Sequence, residues 1–207
     1  MIVLSYSTLN MLRIASHNWL NKQMGITVPE RVEWTEGKVN QRIIQQHISG
    51  KRIHQNLKNI PYKFPIVEEI EFDARTKFFI EINSKYGLIG YADGLNYEEK
   101  MLAEIKLYNG GFSMNKFINS MQRKIYAWGF PMMKRAVLIT GKRNPELWED
   151  YPLKTSVVPM TKQDIKEAKQ WVNEGIAIIE RGDFTGGLTN GKCLDPWCHY
   201  GVNCFFK

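Results

Sequence analysis

Residues 100–108 read Lys-Met-Leu-Ala-Glu-Ile-Lys-Leu-Tyr, and after the opening Lys100 this apolar run carries an anion and an ammonium two positions apart. The run has the period of two that marks a β-strand. Met101, Ala103, Ile105 and Leu107 then point one way, and Leu102, Glu104, Lys106 and Tyr108 the other. Glu104 and Lys106 therefore share a face. Burying either charge alone is expensive, so the pair needs a chemical reason on so apolar a strand.

A second carboxylate stands nearby. Asp93 ends the preceding strand, just before a turn at Asp93-Gly94 or Asn96. If the two strands pair as a hairpin, its carboxylate comes beside that of Glu104. Two convergent carboxylates make a hard oxygen site suited to Mg²⁺ or Mn²⁺, and the Ile105 carbonyl can add a ligand. Such an ion polarises a phosphodiester and lowers the pKa of a bound water. Lys106 then orients or helps deprotonate that water, or stabilises the charge of a phosphorane-like transition state. The competing reading is a surface ion pair on an edge strand, because Asp-x10-Glu-x-Lys also arises by chance.

The next segment weighs on that choice. The spacing predicts an amphipathic helix over 114–130, with Phe117, Ile118, Met121, Ile125 and Trp128 as its stripe and Ser113 as its cap. Gln122 and Tyr126, four apart, lie on one face of it. Read together, Gly90-Tyr91-Ala92-Asp93, Glu104-Ile105-Lys106 and Gln122-Arg123-Lys124-Ile125-Tyr126 form G-x-x-D, E-x-K and Q-x-x-x-Y in that order. In this the chain resembles the RecB-like branch of the PD-(D/E)XK nucleases, including its CRISPR-associated and phage exonucleases. The opening Leu4-Ser5-Tyr6-Ser7-Thr8-Leu9 is similar to the S-x-S-x-L start of that branch, and Arg181-Gly182-Asp183-Phe184 with Cys193, Cys198 and Cys204 resembles its cysteine tail.

The resemblance implies an α/β fold, a central mixed β-sheet flanked by helices. It implies a metal-dependent DNA nuclease, acting from the ends of single-stranded or frayed DNA. Asp93, Glu104 and the Ile105 carbonyl would hold Mg²⁺ or Mn²⁺, with Lys106 as the water-positioning group. Gln122 and Tyr126 would support the site or grip the strand. Two departures stand out. The branch often has a cysteine late in its first helix, where this chain has Ile14-Ala15-Ser16-His17. It also has a histidine four residues after a glycine, and counting from Gly37 gives Gln41, an amide where the family has a metal-binding imidazole. Gln41 is then either a weak metal ligand or a helix-surface residue far from Asp93. These losses keep open a DNA-binding or complex-forming protein of the same fold with weakened catalysis.

Composition fits a nucleic-acid partner without requiring one. The chain has 207 residues, 43% hydrophobic and 12% aromatic, which describes one globular domain. A net charge of +7 and a pI near 9.2 attract polyanions. No apolar run reaches the length of a membrane span, and no secretory pattern opens the chain, so a cytoplasmic protein is expected. The domain divides into a helical part over about 1–60, a core over about 65–160, and a last helix with the cysteine tail over about 161–207. Expected elements are helices from Ser5 or Ser7 to about 24 and from Pro29 to about 49, and strands at 66–73, 77–82, 86–91, 135–140 and near 155–159. A last helix starts at the Thr161/Asp164 capping box. Glu68, Glu69 and Glu71 are expected to face solvent, though one of them can approach the metal. His47 is expected to be an ordinary, partly exposed histidine.

Three thiols in a Gly-rich, aromatic tail form no disulfide framework. With a fourth ligand such as His199 or His17 they can bind zinc or an iron–sulfur cluster, and without one they only pack. Lacking a cysteine near Ala15, the protein is expected to hold no four-cysteine cluster and to be colourless after aerobic purification. A brown protein with iron and sulfide in cluster proportions overturns this.

Overall fold

The computed structural model of the chain describes residues 1–26, 32–68, 73–110, 113–182 and 184. The elements run β1 (Ile2–Leu4), α1 (Tyr6–Ile14), α2 (Ser16–Gln23), α3 (Val32–Ile48), β2 (Ile66–Val67), β3 (Lys77–Glu81), β4 (Tyr86–Tyr91) and β5 (Gly94–Asn96). After these come β6 (Met101–Tyr108), α4 (Met114–Ile118), α5 (Met121–Gly129), β7 (Arg135–Lys142), β8 (Lys154–Pro159) and α6 (Lys162–Arg181).

The strand carrying Glu104 and Lys106, β6, lies in the middle of a five-stranded sheet ordered β2-β5-β6-β7-β8. It pairs antiparallel with β5, Ala103 opposite Gly94, and parallel with β7, Lys106 opposite Thr140. A parallel neighbour needs a crossover, and α4 and α5 provide it. A three-stranded sheet, β1-β4-β3, stands beside the first, with β4 parallel to β1 and antiparallel to β3. The mixed α/β architecture matches the expectation, with the strands split into two sheets where the chain passes from β4 to β5 through Ala92 and Asp93.

The alternation read from the sequence sorts β6 into two cores. Met101, Ala103 and Ile105 pack with Ile44 and Ile48 of α3 and with Phe64. Leu102, on the opposite face, belongs to the cluster of Leu9, Phe78, Ile125, Tyr126 and Val172 from the other layer of helices. With both faces covered, a charge on β6 is interior by construction.

Two expected helices are broken. The first stops at Ile14 because Ala15 takes a non-helical φ of −155° and ψ of 78°. The helix over 114–130 divides at Asn119-Ser120. There Ser120 adopts an extended conformation and its hydroxyl accepts from the Arg123 N–H, which starts a new helix. Arg123 Nε donates to the Ile118 carbonyl at 2.6 Å, satisfying an acceptor that the end of α4 leaves orphaned. The capping box at Thr161 and Asp164 forms as expected. The strand expected over 66–73 is observed at Ile66–Val67, while 69–72 lie outside the described residues. No described helix is long and apolar enough to cross a membrane.

Gly90 of the G-x-x-D motif has a packing reason. A Cβ there would lie 2.4 Å from Phe78 Cε1, and one on Gly129 would lie 2.4 Å from Phe78 Cδ1. The Phe78 ring sits between the two glycines and seals β3 and β4 against α5.

A buried ion pair helps fasten the helical layer. Arg123, 6% exposed, donates to Asp164 Oδ1 at 2.6 Å and to Oδ2 at 3.0 Å. Burial pushes the Asp164 carboxyl up, but the Arg123 guanidinium and the Thr161 N–H and hydroxyl outweigh it and hold the group below its usual range. A carboxyl depressed in the native state stabilises above its unfolded pKa of about 3.9 and loses that contribution as pH falls through the native value. Arg123→Ala leaves the buried carboxylate unpaired and is expected to cost roughly 3–5 kcal/mol at neutral pH, read by urea unfolding. The gap to wild type should narrow below about pH 4; a pH-independent gap would mean the arginine acts by packing.

Candidate active site

Asp93 occupies the passage from β4 to β5, and its main chain is held first. Its carbonyl accepts from the Glu68 N–H at 3.3 Å and from Gln45 Nε2 at 3.3 Å. Its carboxylate, 7% exposed, accepts from the Ile105 N–H at 2.6 Å and from Gln41 Nε2 at 2.5 Å. Glu104 is 3% exposed, and its Oε1 lies 2.7 Å from Lys106 Nζ. The Lys106 side chain is 41% exposed and lines an open cleft while its ammonium holds the buried Glu104.

These neighbours act strongly on one another. Burial, and then the Glu104 charge, push the Asp93 carboxyl well above the usual carboxylate range, against the pull of Lys106 and the Ile105 N–H. Burial works to lower the Lys106 ammonium, but the Glu104 and Asp93 carboxylates raise it on balance, so it stays charged at neutral pH. Burial and the same two carboxylates push the Tyr126 phenol well up, which keeps it a neutral donor. Its hydroxyl donates to the Tyr91 carbonyl at 2.7 Å and accepts from Gln122 Nε2 at 2.9 Å. The Q-x-x-x-Y pair thereby braces the end of β4, two residues before Asp93.

The chemistry of the donors fits a hard divalent ion. Two buried carboxylates that repel each other gain by sharing a cation, and Lys106 neutralises only part of their charge. In an extended strand the N–H and C=O of one residue project to the same edge, so the Ile105 carbonyl lies on the edge where Asp93 is bonded. Among the described residues, no three or more His, Cys, Asp or Glu converge to hold an ion by themselves. The two acids with a neutral oxygen such as the Ile105 carbonyl would be a donor set suited to Mg²⁺ or Mn²⁺.

Asp93, Glu104, Ile105 and Lys106 come together, but not through the expected hairpin: β4, the strand before Asp93, lies in the other sheet, and the short β5 after it pairs with β6. Gln41 lies beside Asp93 rather than on a distant surface. Gly37 is not forced to be glycine by crowding, since its Cβ would meet Arg143 Nε at an ordinary 3.8 Å. Of the three early acids, expected to face solvent unless one approached the metal, Glu68 is half-buried and adds its charge to those acting on Asp93. The pairing of Ile66 with Leu95 and Val67 with Gly94 carries it there, because one more step sets residue 68 opposite 93. Gln45 was missed. It lies one turn beyond Gln41, a spacing that could have flagged it. His47 is 3% exposed rather than partly exposed, and its Nδ1 accepts from the His54 N–H at 3.2 Å. His17 is buried and has a partner. Glu69, Glu71, Cys193, Cys198, His199 and Cys204 lie outside the described residues.

No protein-family model matches the chain, and no curated protein matches it by sequence. Among solved structures it is similar in fold to the crystal structure of SSO0001, with a TM-score of 0.54 and 15% identity over 98% of this chain and 85% of that one. A partial likeness to the alkaline exonuclease LHK-Exo from Laribacter hongkongensis has a TM-score of 0.36 and 17% identity, over 50% of this chain and 55% of that one. The same enzyme in complex with dAMP gives a TM-score of 0.35 and 16% identity, over 54% and 57%.

An amide oxygen is a weaker ligand than an imidazole nitrogen for Mn²⁺. Gln41→His is therefore expected to tighten Mn²⁺ binding with the fold intact. Calorimetry on both proteins checks this, and unchanged affinity defeats a ligand role for position 41.

Proposed function

We propose that the chain is a metal-dependent deoxyribonuclease of PD-(D/E)XK type that acts as an exonuclease. The observation that carries this reading is the convergence of two buried carboxylates with one cleft-facing ammonium, one acid from the β4–β5 passage and the other two groups from β6. Asp93, Glu104, the Ile105 carbonyl and the Gln41 amide oxygen would hold Mg²⁺ or Mn²⁺. When bound, the ion polarises a phosphodiester and lowers the pKa of water.

The chain's own groups account for the rest. Lys106, fixed by Glu104 at 2.7 Å, presents a charged donor that orients the attacking water. As the water oxygen bonds to phosphorus and the bond to the bridging oxygen breaks, the proton lost by the water passes through solvent to the leaving oxygen, and negative charge grows on the phosphoryl oxygens. A preorganised ammonium stabilises that charge. Tyr126 and Gln122 are positioning residues that hold β4 and thus Asp93. The formal charge of +7 favours encounter with a polyanion.

A second reading has one observation in its favour, the amide at Gln41 beside Asp93. On that reading the protein binds DNA and cleaves it poorly. Purified protein incubated with end-labelled single- and double-stranded DNA in Mn²⁺, Mg²⁺ or EDTA separates the two. Cleavage is expected with either ion and none with EDTA, whereas retained binding without cleavage favours the second reading. Asp93→Ala and Glu104→Ala should abolish cleavage in folded protein, and Lys106→Ala should slow it by roughly 100–1,000-fold. Wild-type rates for Lys106→Ala would falsify the assignment of nuclease chemistry to this site.

A further inference from the structure

Two cavities meet over Lys106. The first, of about 720 Å³, is walled by Val3, Ile89, Tyr91 and Tyr126, with the hydroxyl-bearing Ser7 and Thr8 also lining it. The second, of about 690 Å³, is lined by Ser113, Lys116 and Ser120. Tyr6, Lys106 and Gln122 border both. Both sides offer an ammonium and hydroxyls, as a phosphate requires, with Lys22, Ser7 and Thr8 on the first and Lys116, Ser113 and Ser120 on the second; the first adds an apolar and aromatic wall, as a base requires. Each is a half-open cleft with the volume of a small-molecule pocket.

Tyr6 is also held in place. Its ring stacks on Trp171 with centroids 5.8 Å apart and planes 20° apart. The Arg13 guanidinium caps the same indole at 4.0 Å and also donates to the Trp171 carbonyl. A ring fixed on one face by an indole can offer only its other face to a ligand. The S-x-S-x-L segment that carries Tyr6 has no role in the proposed phosphodiester chemistry.

Resting on the nuclease reading above, we propose that Tyr6 is a base-stacking wedge on a path for unpaired DNA. A terminal nucleotide places its base in the first cavity against Tyr6. The scissile phosphate lies over Lys106, and the adjoining strand continues into the second cavity along Lys116. The substrate at the moment of cleavage is then a single strand, and a duplex end must fray to enter.

An abasic scan tests this. A labelled single-stranded oligonucleotide is cleaved in Mn²⁺ with one base removed at each position near its end in turn. Wild type is expected to lose roughly 10-fold in kcat/KM when the base next to the scissile phosphate is missing, the size of one stacked base. Tyr6→Ala and Tyr6→Leu should lose a similar factor on the intact strand and become insensitive to the missing base. Tyr6→Phe, which keeps the ring, should retain the wild-type pattern. A purely structural role for Tyr6 would slow every substrate alike and leave the positional sensitivity in place, which overturns the wedge while the nuclease stands. Unchanged kinetics in Tyr6→Leu, or a wild type indifferent to every missing base, overturns it as well. Absence of Mn²⁺-dependent cleavage by wild type on any strand instead overturns the nuclease reading, and the wedge with it.

Discussion

The Asp93 carboxylate is the joint on which the centre of the molecule depends. One oxygen takes the Ile105 N–H from the middle of β6, the other takes Gln41 from α3, and the carbonyl of the same residue takes Gln45 and Glu68. A hairpin strand, a helix and an incoming edge strand are thus fixed to one residue between two sheets. Buried acceptors left unbonded are costly, so these contacts are required once Asp93 is inside. They also aim it. Ile105 lies between Glu104 and Lys106, so a bond to its N–H brings the second carboxylate into the first one's field.

That arrangement stores electrostatic tension. Burial and the Glu104 charge disfavour the ionised form of Asp93, and Lys106 relieves part of the strain from the open side. The buried Arg123 and Asp164 are by contrast fully paired, with two hydrogen bonds between α5 and α6. The contrast is informative. A structural ion pair closes on itself, whereas the Asp93–Glu104–Lys106 group carries two buried acids to one base, and that base lines a cleft. Perturbed groups set beside a cleft in this way are where chemistry is to be sought.

Much of this was legible in the primary structure for a simple reason. Strand alternation is a one-dimensional code, and it put Glu104 and Lys106 on one face without any knowledge of the partner strands. Helical spacing did the same for Gln122 and Tyr126, whose hydroxyl and amide are bonded. Interruptions were harder to see. Ser120 and Ala15 break helices through local hydrogen bonds and a single backbone angle, against apolar stripes that run on through both positions. His47 was misjudged because nothing local reveals that the loop after α3 folds back to cover it.

By itself, then, the sequence determined the periodic facts: which residues share a face, where helices are capped at Ser113 and Thr161, and that acids and an ammonium sit two and eleven positions apart along β-forming segments. Only the tertiary structure decided what meets across those faces. Gln41 is 52 positions from Asp93, and Tyr126 is 35 from the Tyr91 carbonyl it bonds. Glu68 reaches the site through the register of an antiparallel edge, and Tyr6 through a stack on Trp171 at the far end of the chain. Periodicity is set by the geometry of the backbone and is written locally. Convergence is set by which apolar faces bury each other, which only the completed packing decides.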